Sequence, residues 1–369
     1  MSDTTTKMAA ETPLLALHKR AGATVATWFG CALPDTFGDW QTEYKAACEN
    51  VALIDKNYRM YLRFSGPDRG RYLNAILTNN IKDLAAGDGV VSLFLNPQGR
   101  IQAEIETYAT TDSLFCVSHA MVRETLVPAL DKFIIMDDVT LTDETELFGT
   151  MALEGPKAAA VAKNLAAIDL AELQELSFVE ASVAGISCRV TKRSPDGVAG
   201  AEFLTKRGDL PQLWEILRNA VEKAGGRAMG YKALSALRLE QGIPWFAYDF
   251  GDKQIPHEAG LEHSHISYTK GCYTGQEIVE RVRSRGQVNR VRVLVKFATS
   301  EPPAAGTVLL ADGKEAVHVT RTGFSPALQT WIGISYVRRE KSQPGSQFFC
   351  GSSTATVITS PLLDSQSKS

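Results

Sequence analysis

The order of strand-like and helix-like segments in the first half of the chain most constrains its fold. Residues 58–64 alternate as a strand does, and Ser65–Asp68 then supply residues typical of a helix start. Two β-rich runs flank the turn Asn96–Gly99, and helical spacing follows at residues 121–133 before further strands. This order of strands, helix, strands and helix favours an α+β fold over a doubly wound parallel sheet.

The second half of the chain predicts two more helices and a separate β domain. Apolar side chains recur at helical spacing over residues 211–223 and 231–241. Residues 242–275 mix Pro, Gly, His and aromatic residues without periodicity, and such a long irregular segment is usually functional or a domain connector. From Val291 onward short β runs alternate with turn residues, which predicts a small all-β C-terminal domain. The polar tail after Leu363 is expected to fray.

Composition excludes several classes of function. The chain has 369 residues, and 39 basic against 42 acidic side chains give a net charge of -3. This balance removes the general attraction to phosphate backbones that duplex-binding proteins show, so no direct nucleic-acid partner is expected. The sequence has no apolar run of ~18 residues, so neither a membrane span nor a signal peptide is expected. The six cysteines form no CxxC pair, which favours the reducing cytoplasm and offers no metal motif.

The densest group of chemically active residues is the segment Lys270–Glu277, which has the sequence KGCYTGQE. Thr274 and Glu277 match the pattern of a capping box, so a helix is predicted from just after Thr274 to about Arg285. Cys272 then lies just outside a helix N-terminus, where the helix dipole favours a thiolate.

The neighbours of Cys272 strengthen this interpretation. Lys270 brings a positive charge, and Gly271 and Gly275 allow a close approach of other backbone. The segment therefore predicts a reactive or redox-sensitive thiol. A buried structural cysteine in a tight turn is the alternative. Covalent catalysis by Cys272 is not favoured, since no neighbouring His and Asp suggest a nucleophile triad.

Charged residues near this segment offer weaker candidates for ligand contacts. Arg281 and Arg285 share one helix face and could hold a carboxylate or phosphate, whereas Arg283 points elsewhere. A solvated helix end is the alternative. His257, His263 and His265 could suggest a metal site, but they lie in a segment of undefined conformation, and no metal is predicted.

Two further carboxylates are candidates. Glu240 ends a mostly apolar helix, and if buried it needs a donor partner such as an arginine or the N–H groups of a heterocyclic ligand. A surface acid at a helix end is the alternative. In the strand that begins at Ile101, Glu104 and Tyr108 share a face with Gln102 and Glu106, which could line a polar channel or simply face solvent.

The segment KGCYTGQE resembles the signature of the YgfZ family, the folate-binding relatives of the glycine-cleavage T-protein. The resemblance covers roughly residues 40–350. It is carried by the motif residues Lys270, Gly271, Cys272, Tyr273, Gly275, Gln276 and Glu277, and by Ser65–Asp68, Leu77–Asn80, Asn96–Gly99, Glu154–Pro156, Leu237–Glu240 and Ile255–Leu261.

The resemblance implies a three-lobed α+β fold around a central channel, with antiparallel sheets and a small C-terminal β-barrel. The implied divisions are a lead-in of residues 1–38, a discontinuous folate-binding domain of residues 39–85 and 228–286, a ferredoxin-like domain of residues 86–227, a barrel of residues 287–360 and a disordered tail of residues 361–369.

The resemblance also implies the ligand, which is tetrahydrofolate or a one-carbon-substituted folate. Glu240 matches the glutamate that contacts the pterin, and Arg281, Arg283 and Arg285 are weaker candidates for the glutamyl tail. In the T-protein branch an adjacent Asp pair activates aminomethyl transfer, and the matching positions here are Ala103 and Glu104. Tyr108 matches an aromatic residue of that branch.

The cysteine motif implies a function in the assembly or repair of iron–sulfur clusters, and through cluster enzymes in transfer RNA modification. Cys272 is then the essential redox or transient-ligand residue, and the partners are assembly factors or client enzymes. Two alternatives stay open. One is a folate-dependent aminomethyl or one-carbon transferase that uses Glu104, and the other is a scaffold with a vestigial folate pocket.

Overall fold

The computed structural model of the chain describes residues 9–193, 198–311, 313–350 and 353–360. The predicted tail of residues 361–369 lies outside the described residues. The chain forms two compact units. Unit 1 comprises the residues up to 63 together with 117–131 and 141–233, and unit 2 comprises 64–116, 132–140 and the residues from 234 onward. The domain ranges given above stay a prediction.

From residue 58 onward most strands and helices follow the predicted order, whereas the elements before residue 58 were not predicted. The strands are β1 (Ala10–Glu11), β2 (Thr24–Trp28), β3 (Cys31–Thr36), β4 (Ala52–Asp55), β5 (Arg59–Ser65), β6 (Gly89–Leu95), β7 (Ile101–Ala109), β8 (Leu114–His119), β9 (Thr140–Asp143), β10 (Phe148–Glu154), β11 (Phe178–Val183), β12 (Ile186–Lys192), β13 (Gly200–Lys206), β14 (Arg227–Ala228), β15 (Arg290–Ala298), β16 (Val308–Ala311), β17 (Lys314–Ser325), β18 (Thr330–Arg338), β19 (Gln347–Cys350) and β20 (Ser353–Ile358). The helices are α1 (Leu15–Arg20), α2 (Trp40–Glu49), α3 (Arg69–Ile76), α4 (Arg123–Asp131), α5 (Ala158–Ala166), α6 (Leu210–Lys223), α7 (Tyr231–Glu240), α8 (Pro256–Ala259) and α9 (Gln276–Arg285).

Unit 1 is built on a six-stranded sheet with the order β11-β12-β13-β10-β4-β14, in which only the short pair β14 and β4 is parallel. Helix α6 shows why these segments are helical, because Leu213, Trp214, Leu217 and Val221 recur at helical spacing and are fully buried. Pro211 stands in the first turn of α6, where its missing N–H has no helical acceptor to lose.

Unit 1 also contains a buried carboxylate. Asp55 ends β4 and is 1% exposed. Its Oδ2 accepts from the hydroxyl of Thr12 at 2.6 Å and lies 2.7 Å from Nε2 of His18, while its Oδ1 accepts from the backbone N–H of Asn57 at 2.8 Å. These partners compensate the cost of removing a charge from water.

The C-terminal part of unit 2 is a six-stranded sheet with the order β16-β17-β18-β15-β20-β19 that curls into a nearly closed barrel. Val295, Phe297, Val317, Val337 and Phe348 fill its core. The sequence predicted an all-β domain here, and its last two strands, β19 and β20, were not predicted.

A five-stranded sheet with the order β6-β7-β8-β5-β9 carries the polar face singled out in the sequence. Strands β6 and β7 pair antiparallel around the turn Asn96–Gly99, as predicted. The solvent-face alternative for β7 is wrong, because Glu106 is 8% and Tyr108 only 3% exposed. Residues 242–275 are largely irregular and contain only the short helix α8.

Candidate active site

The KGCYTGQE segment is held in place by Lys270. Its ammonium donates to the carbonyl oxygens of Asn74, Leu77 and Asn79, the last at 3.0 Å. Helix α3 ends at Ile76, so these acceptors are carbonyls of its last turn and of the chain just beyond it. Burial lowers the pKa of Lys270 to about 8. The predicted role of Lys270 beside Cys272 therefore gains a structural one, which is to cap α3.

Gly275 fixes the other end of the segment and corrects one prediction. The residue that precedes α9 is Gly275, with φ at 82°, and no side chain caps the helix. The predicted capping box of Thr274 and Glu277 is therefore wrong. A Cβ on Gly275 would lie 2.6 Å from the carbonyl oxygen of Asn96, so both the left-handed backbone and the close approach require glycine here.

The turn Asn96–Gly99 and the cysteine motif are thus packed against each other. Besides the approach at Gly275, a Cβ on Gly99 would lie 2.9 Å from Cβ of Ile278 in α9. The turn and the motif, which are far apart in the sequence, therefore form one contact in unit 2. Their glycines are needed because the backbones meet without room for side chains.

Cys272 is exposed on this fixed segment. Among the cysteines whose side chains the structure describes, Cys31, Cys116 and Cys188 are buried and Cys48 is half-buried. Burial raises the pKa of the Cys31 and Cys116 thiols to about 12 and that of Cys188 to about 11. The alternative of Cys272 as a buried structural cysteine is therefore wrong.

The remaining motif residues lie around Cys272 in different environments. Tyr273 is 6% exposed, burial raises its pKa, and the Lys270 ammonium lies 5.1 Å from its ring centroid. Gly271 and Glu277 are exposed, and the backbone N–H of Gln276 donates to the carbonyl of Tyr273 at 3.2 Å. The Tyr273 side chain is thus buried, while the neighbouring thiol of Cys272 stays accessible.

The arginines that follow the motif lie on α9. Arg281 is exposed, and Arg283 pairs with Glu280 at 3.4 Å and stacks 4.2 Å from the ring centroid of Tyr268. The side chain of Arg285 lies outside the described residues. Arg281 therefore stays the more available candidate for an anionic group.

Strand β7 presents a carboxylate–imidazole pair that the sequence did not predict. Nε2 of His265 lies 3.0 Å from Oε1 of Glu104, and Nδ1 of His265 lies 2.7 Å from the hydroxyl of Ser264. Two places farther along the same face, the hydroxyl of Tyr108 donates to Glu106 at 2.8 Å. The only signal in the sequence was the polar alternation of β7, since Glu104 and His265 are 161 positions apart.

Glu240 lies at the end of α7 and is fully buried. Its Oε1 accepts from the Ser325 hydroxyl at 2.5 Å and from the Ala327 backbone N–H at 3.0 Å. The surface-acid alternative for Glu240 is therefore wrong. The structure holds this carboxylate against the loop that follows β17 in the barrel.

Sequence reasoning missed two arginines of the barrel strands that hold the irregular segment 242–275. Arg321 on β17 pairs with Asp249 at 2.7 Å, and its guanidinium lies 4.2 Å from the ring centroid of Trp245. Arg292 on β15 donates to the carbonyl of Ala259 at 2.7 Å. Arginines in alternating strands are common, so no local signal distinguishes these two.

The three histidines considered for a metal do not converge. His263 is exposed, His257 lies 3.1 Å from the hydroxyl of Tyr268, and His265 pairs with Glu104. Within the described ranges, His, Cys, Asp and Glu form no group of three or more that could hold a metal ion. None of the helices in the described part of the chain has the length and apolar character that a membrane crossing requires.

Comparison with known proteins identifies the family. Family models match the GCVT N-terminal domain over residues 14–266 and the glycine cleavage T-protein C-terminal barrel domain over residues 292–364. The chain belongs to the glycine cleavage T-protein family. The predicted T-protein-like α+β fold with antiparallel sheets and a C-terminal barrel is confirmed.

Individual relatives of this T-protein family align along most of the chain. An aminomethyltransferase of Rubrobacter xylanophilus is 29% identical over 332 residues, which cover 89% of this chain and 87% of the relative. One of Streptomyces avermitilis is 25% identical over 338 residues, 91% of each chain. The crystal structure of glycine cleavage system aminomethyltransferase T from Bartonella henselae has a TM-score of 0.86 at 22% identity, covering 96% of this chain and 98% of that one. The narrower YgfZ assignment stays a prediction.

Proposed function

We propose that this chain binds a reduced folate and supports the assembly or repair of iron–sulfur clusters in the cytoplasm. The observation that carries the proposal is the exposed thiol of Cys272 on a segment held by Lys270, Tyr273 and Gly275. A thiol that is accessible and fixed in position can bind iron transiently, whereas a buried thiol cannot be reached by the iron of a partner.

The cluster iron is cargo in this proposal, and the step is a ligand exchange. The thiol of Cys272 loses its proton on binding iron and regains it on release, and no electrons are transferred. The partners are cluster assembly factors or client enzymes, and transfer RNA modification depends on the protein through such clients. Exposure of the thiol supports this, because a partner must reach the sulfur directly.

The residues of unit 2 fit the chemistry of a reduced folate. A pterin ring presents N–H donors at its edge, and carboxylates are the matching acceptors. Glu104 has a side chain 24% exposed, and Glu240 is oriented by Ser325 and Ala327. Arg281 offers an exposed guanidinium for the carboxylates of a glutamyl tail. We propose Glu240 and Glu104 as ring contacts, with Tyr108 beside them, and the folate would supply the one-carbon chemistry when bound.

The test compares Cys272→Ala with Cys48→Ala, which removes a half-buried thiol outside the motif. Each variant replaces the wild-type protein in a strain that lacks it, and the activity of an iron–sulfur enzyme is measured. We expect Cys272→Ala to lose support of the enzyme while it keeps its melting temperature and its affinity for 5-formyltetrahydrofolate. Cys48→Ala should behave as the wild type does. Full enzyme activity with Cys272→Ala would remove the cysteine from the function.

A second candidate function is aminomethyl or one-carbon transfer on the folate, with Glu104 as the acid or electrostatic stabiliser. The hydrogen bond between Glu104 and His265 favours it, because a carboxylate held by an imidazole can exchange a proton at a defined atom. The aminomethyltransferase names of the relatives also favour it.

The two candidates differ in turnover. A transferase should consume tetrahydrofolate with a one-carbon donor, and Glu104→Ala should remove that turnover while Cys272→Ala leaves it intact. If the wild-type protein shows no turnover and Cys272→Ala loses cluster support, the first candidate function is favoured. If the wild-type protein binds no reduced folate but still binds its partners, the chain acts as a scaffold with a vestigial folate pocket.

A further inference from the structure

His265 lies between Ser264 and Glu104 in a chain of hydrogen bonds. The His265 side chain is 10% exposed and that of Glu104 is 24% exposed. Because ionised Glu104 can only accept, Nε2 of His265 carries the proton between them. In a neutral ring Nδ1 is then an acceptor, and the Ser264 hydroxyl 2.7 Å away is its donor. Ser264 and Glu104 together select one tautomer of His265.

The backbone of His265 is tied to the same strand pair that carries Glu104. The hydroxyl of the fully buried Thr78 donates to the His265 carbonyl at 2.6 Å and accepts from the backbone N–H of Leu93 at 2.8 Å. Leu93 on β6 is the cross-strand partner of Glu104 on β7. The contacts form a closed circuit from Glu104 through His265, Thr78 and Leu93 back to Glu104. The buried hydrogen bonds of Thr78 therefore fix the His265 backbone relative to the strand pair that carries Glu104, and the bonds to Ser264 and Glu104 orient the ring.

This circuit restricts a side chain that otherwise has several rotamers. A glutamate has one methylene more than an aspartate and one more rotatable bond, so its carboxylate can lie in several places. A group that acts on a ligand loses much of its effect when it is misplaced by about 1 Å. The bond from His265 selects one placement of the Glu104 carboxylate.

We propose that Ser264, His265 and Glu104 form a relay in which His265 is a positioning residue that orients the Glu104 carboxylate toward the N–H donors of a reduced pterin. This inference rests on the folate binding of the proposed function. It assigns to His265 a role beyond that of a metal-ligand candidate. The ligand groups that match Glu104 are N–H donors, because an ionised carboxylate only accepts hydrogen bonds, and the edge of a pterin ring presents such donors.

The experiment measures affinity for 5-formyltetrahydrofolate by calorimetry in wild type and variants. His265→Leu removes the donor to Glu104, and His265→Gln supplies an amide N–H in its place. A hydrogen bond to a charged group contributes roughly 1.5–3 kcal/mol, so His265→Leu should weaken binding about 10- to 150-fold. His265→Gln should recover most of that loss. His263→Leu is the matched control, since that side chain is exposed two positions away, and it should bind as wild type does.

A double-mutant cycle separates positioning from a general structural effect. If His265 acts through Glu104, the double variant Glu104→Gln with His265→Leu should bind no more weakly than Glu104→Gln alone. If the losses of affinity in the two single variants multiply in the double variant, or if His265→Leu binds with wild-type affinity, the proposal is overturned. Folate binding itself would still stand. Absence of folate binding by the wild-type protein would overturn the proposed function and the ligand inferred here with it.

A second readout does not depend on folate. Nitrogen-15 NMR of the free protein reports which ring nitrogen of His265 carries the proton. We expect the Nε2–H tautomer in wild type and a mixture of tautomers in the double variant Ser264→Ala with Glu104→Gln. The Nδ1–H tautomer in wild type would overturn the relay.

Discussion

Replacing Lys270 with methionine should release the cysteine motif from the end of α3 while the fold of unit 2 persists. Methionine keeps most of the apolar stem and removes the ammonium that donates to the carbonyls of Asn74, Leu77 and Asn79. Each hydrogen bond from a charged donor contributes roughly 1.5–3 kcal/mol. Because Lys270 is only half-buried, water replaces part of that, and we expect a local loss of roughly 2–4 kcal/mol.

Native-state hydrogen exchange measures this loss where it occurs. The Ser267 amide donates to the Thr78 carbonyl at 3.1 Å, and the Gln276 amide donates to Tyr273, so both report opening of the segment. A loss of roughly 2–4 kcal/mol corresponds to protection lowered about 30- to 700-fold. Lys296→Met on β15 is the control, since that side chain is exposed and should leave both amides unchanged. Protection of both amides within about threefold of wild type in Lys270→Met would refute the capping role.

Three further variants test other parts of the structure. Gly275→Ala places a Cβ 2.6 Å from the Asn96 carbonyl oxygen at a left-handed φ, so the melting temperature should fall by several degrees, and an unchanged value would contradict the close approach. Tyr273→Phe removes a buried hydroxyl for which the described residues provide no hydrogen-bond partner, so urea unfolding should show equal or higher stability, and a loss above about 1 kcal/mol would mean that the hydroxyl is bonded. Asp55→Asn should destabilise unit 1 by about 3–5 kcal/mol, measured by exchange of its slowest amides, because it leaves buried partners of the carboxylate uncompensated. Burial raises the pKa of Asp55, but hydrogen bonds from His18 and other donors outweigh it and hold this pKa below 3.8. The stabilisation that ionised Asp55 gives to the fold is therefore complete above pH 3.8 and is lost as the pH falls further. The stability of Asp55→Asn should lack this acid dependence.

Local sequence patterns predicted the elements of the fold well. The predicted strand at residues 58–64 differs from β5 by one residue at each end, and the predicted helix at 211–223 begins one residue later than α6. These succeed because hydrophobic periodicity, helix-starting residues and turn residues act over a few positions. The irregular character of residues 242–275 follows in the same way from their composition.

The candidate site was predicted less completely. The sequence marked Cys272 as a reactive thiol and Glu104 as part of a polar face. The structure leaves the Cys272 side chain exposed and that of Glu104 24% exposed, and the reactivity of the thiol stays a prediction. It did not predict that His265 pairs with Glu104. The capping box predicted at the start of α9 is absent, because this boundary depends on the left-handed backbone of Gly275 and its close approach to Asn96 rather than on a side-chain cap.

The sequence by itself determined the α+β class, the positions of most helices and strands, and the cysteine motif with its glycines. Tertiary structure decided which distant groups meet: Lys270 with the end of α3, Gly275 with the turn at Asn96, and His265 with Glu104. The physical reason is range. Propensity and periodicity act between neighbours along the chain, whereas a buried charge or donor takes its partner from whichever segment packing brings within 3 Å, and that choice depends on the whole core.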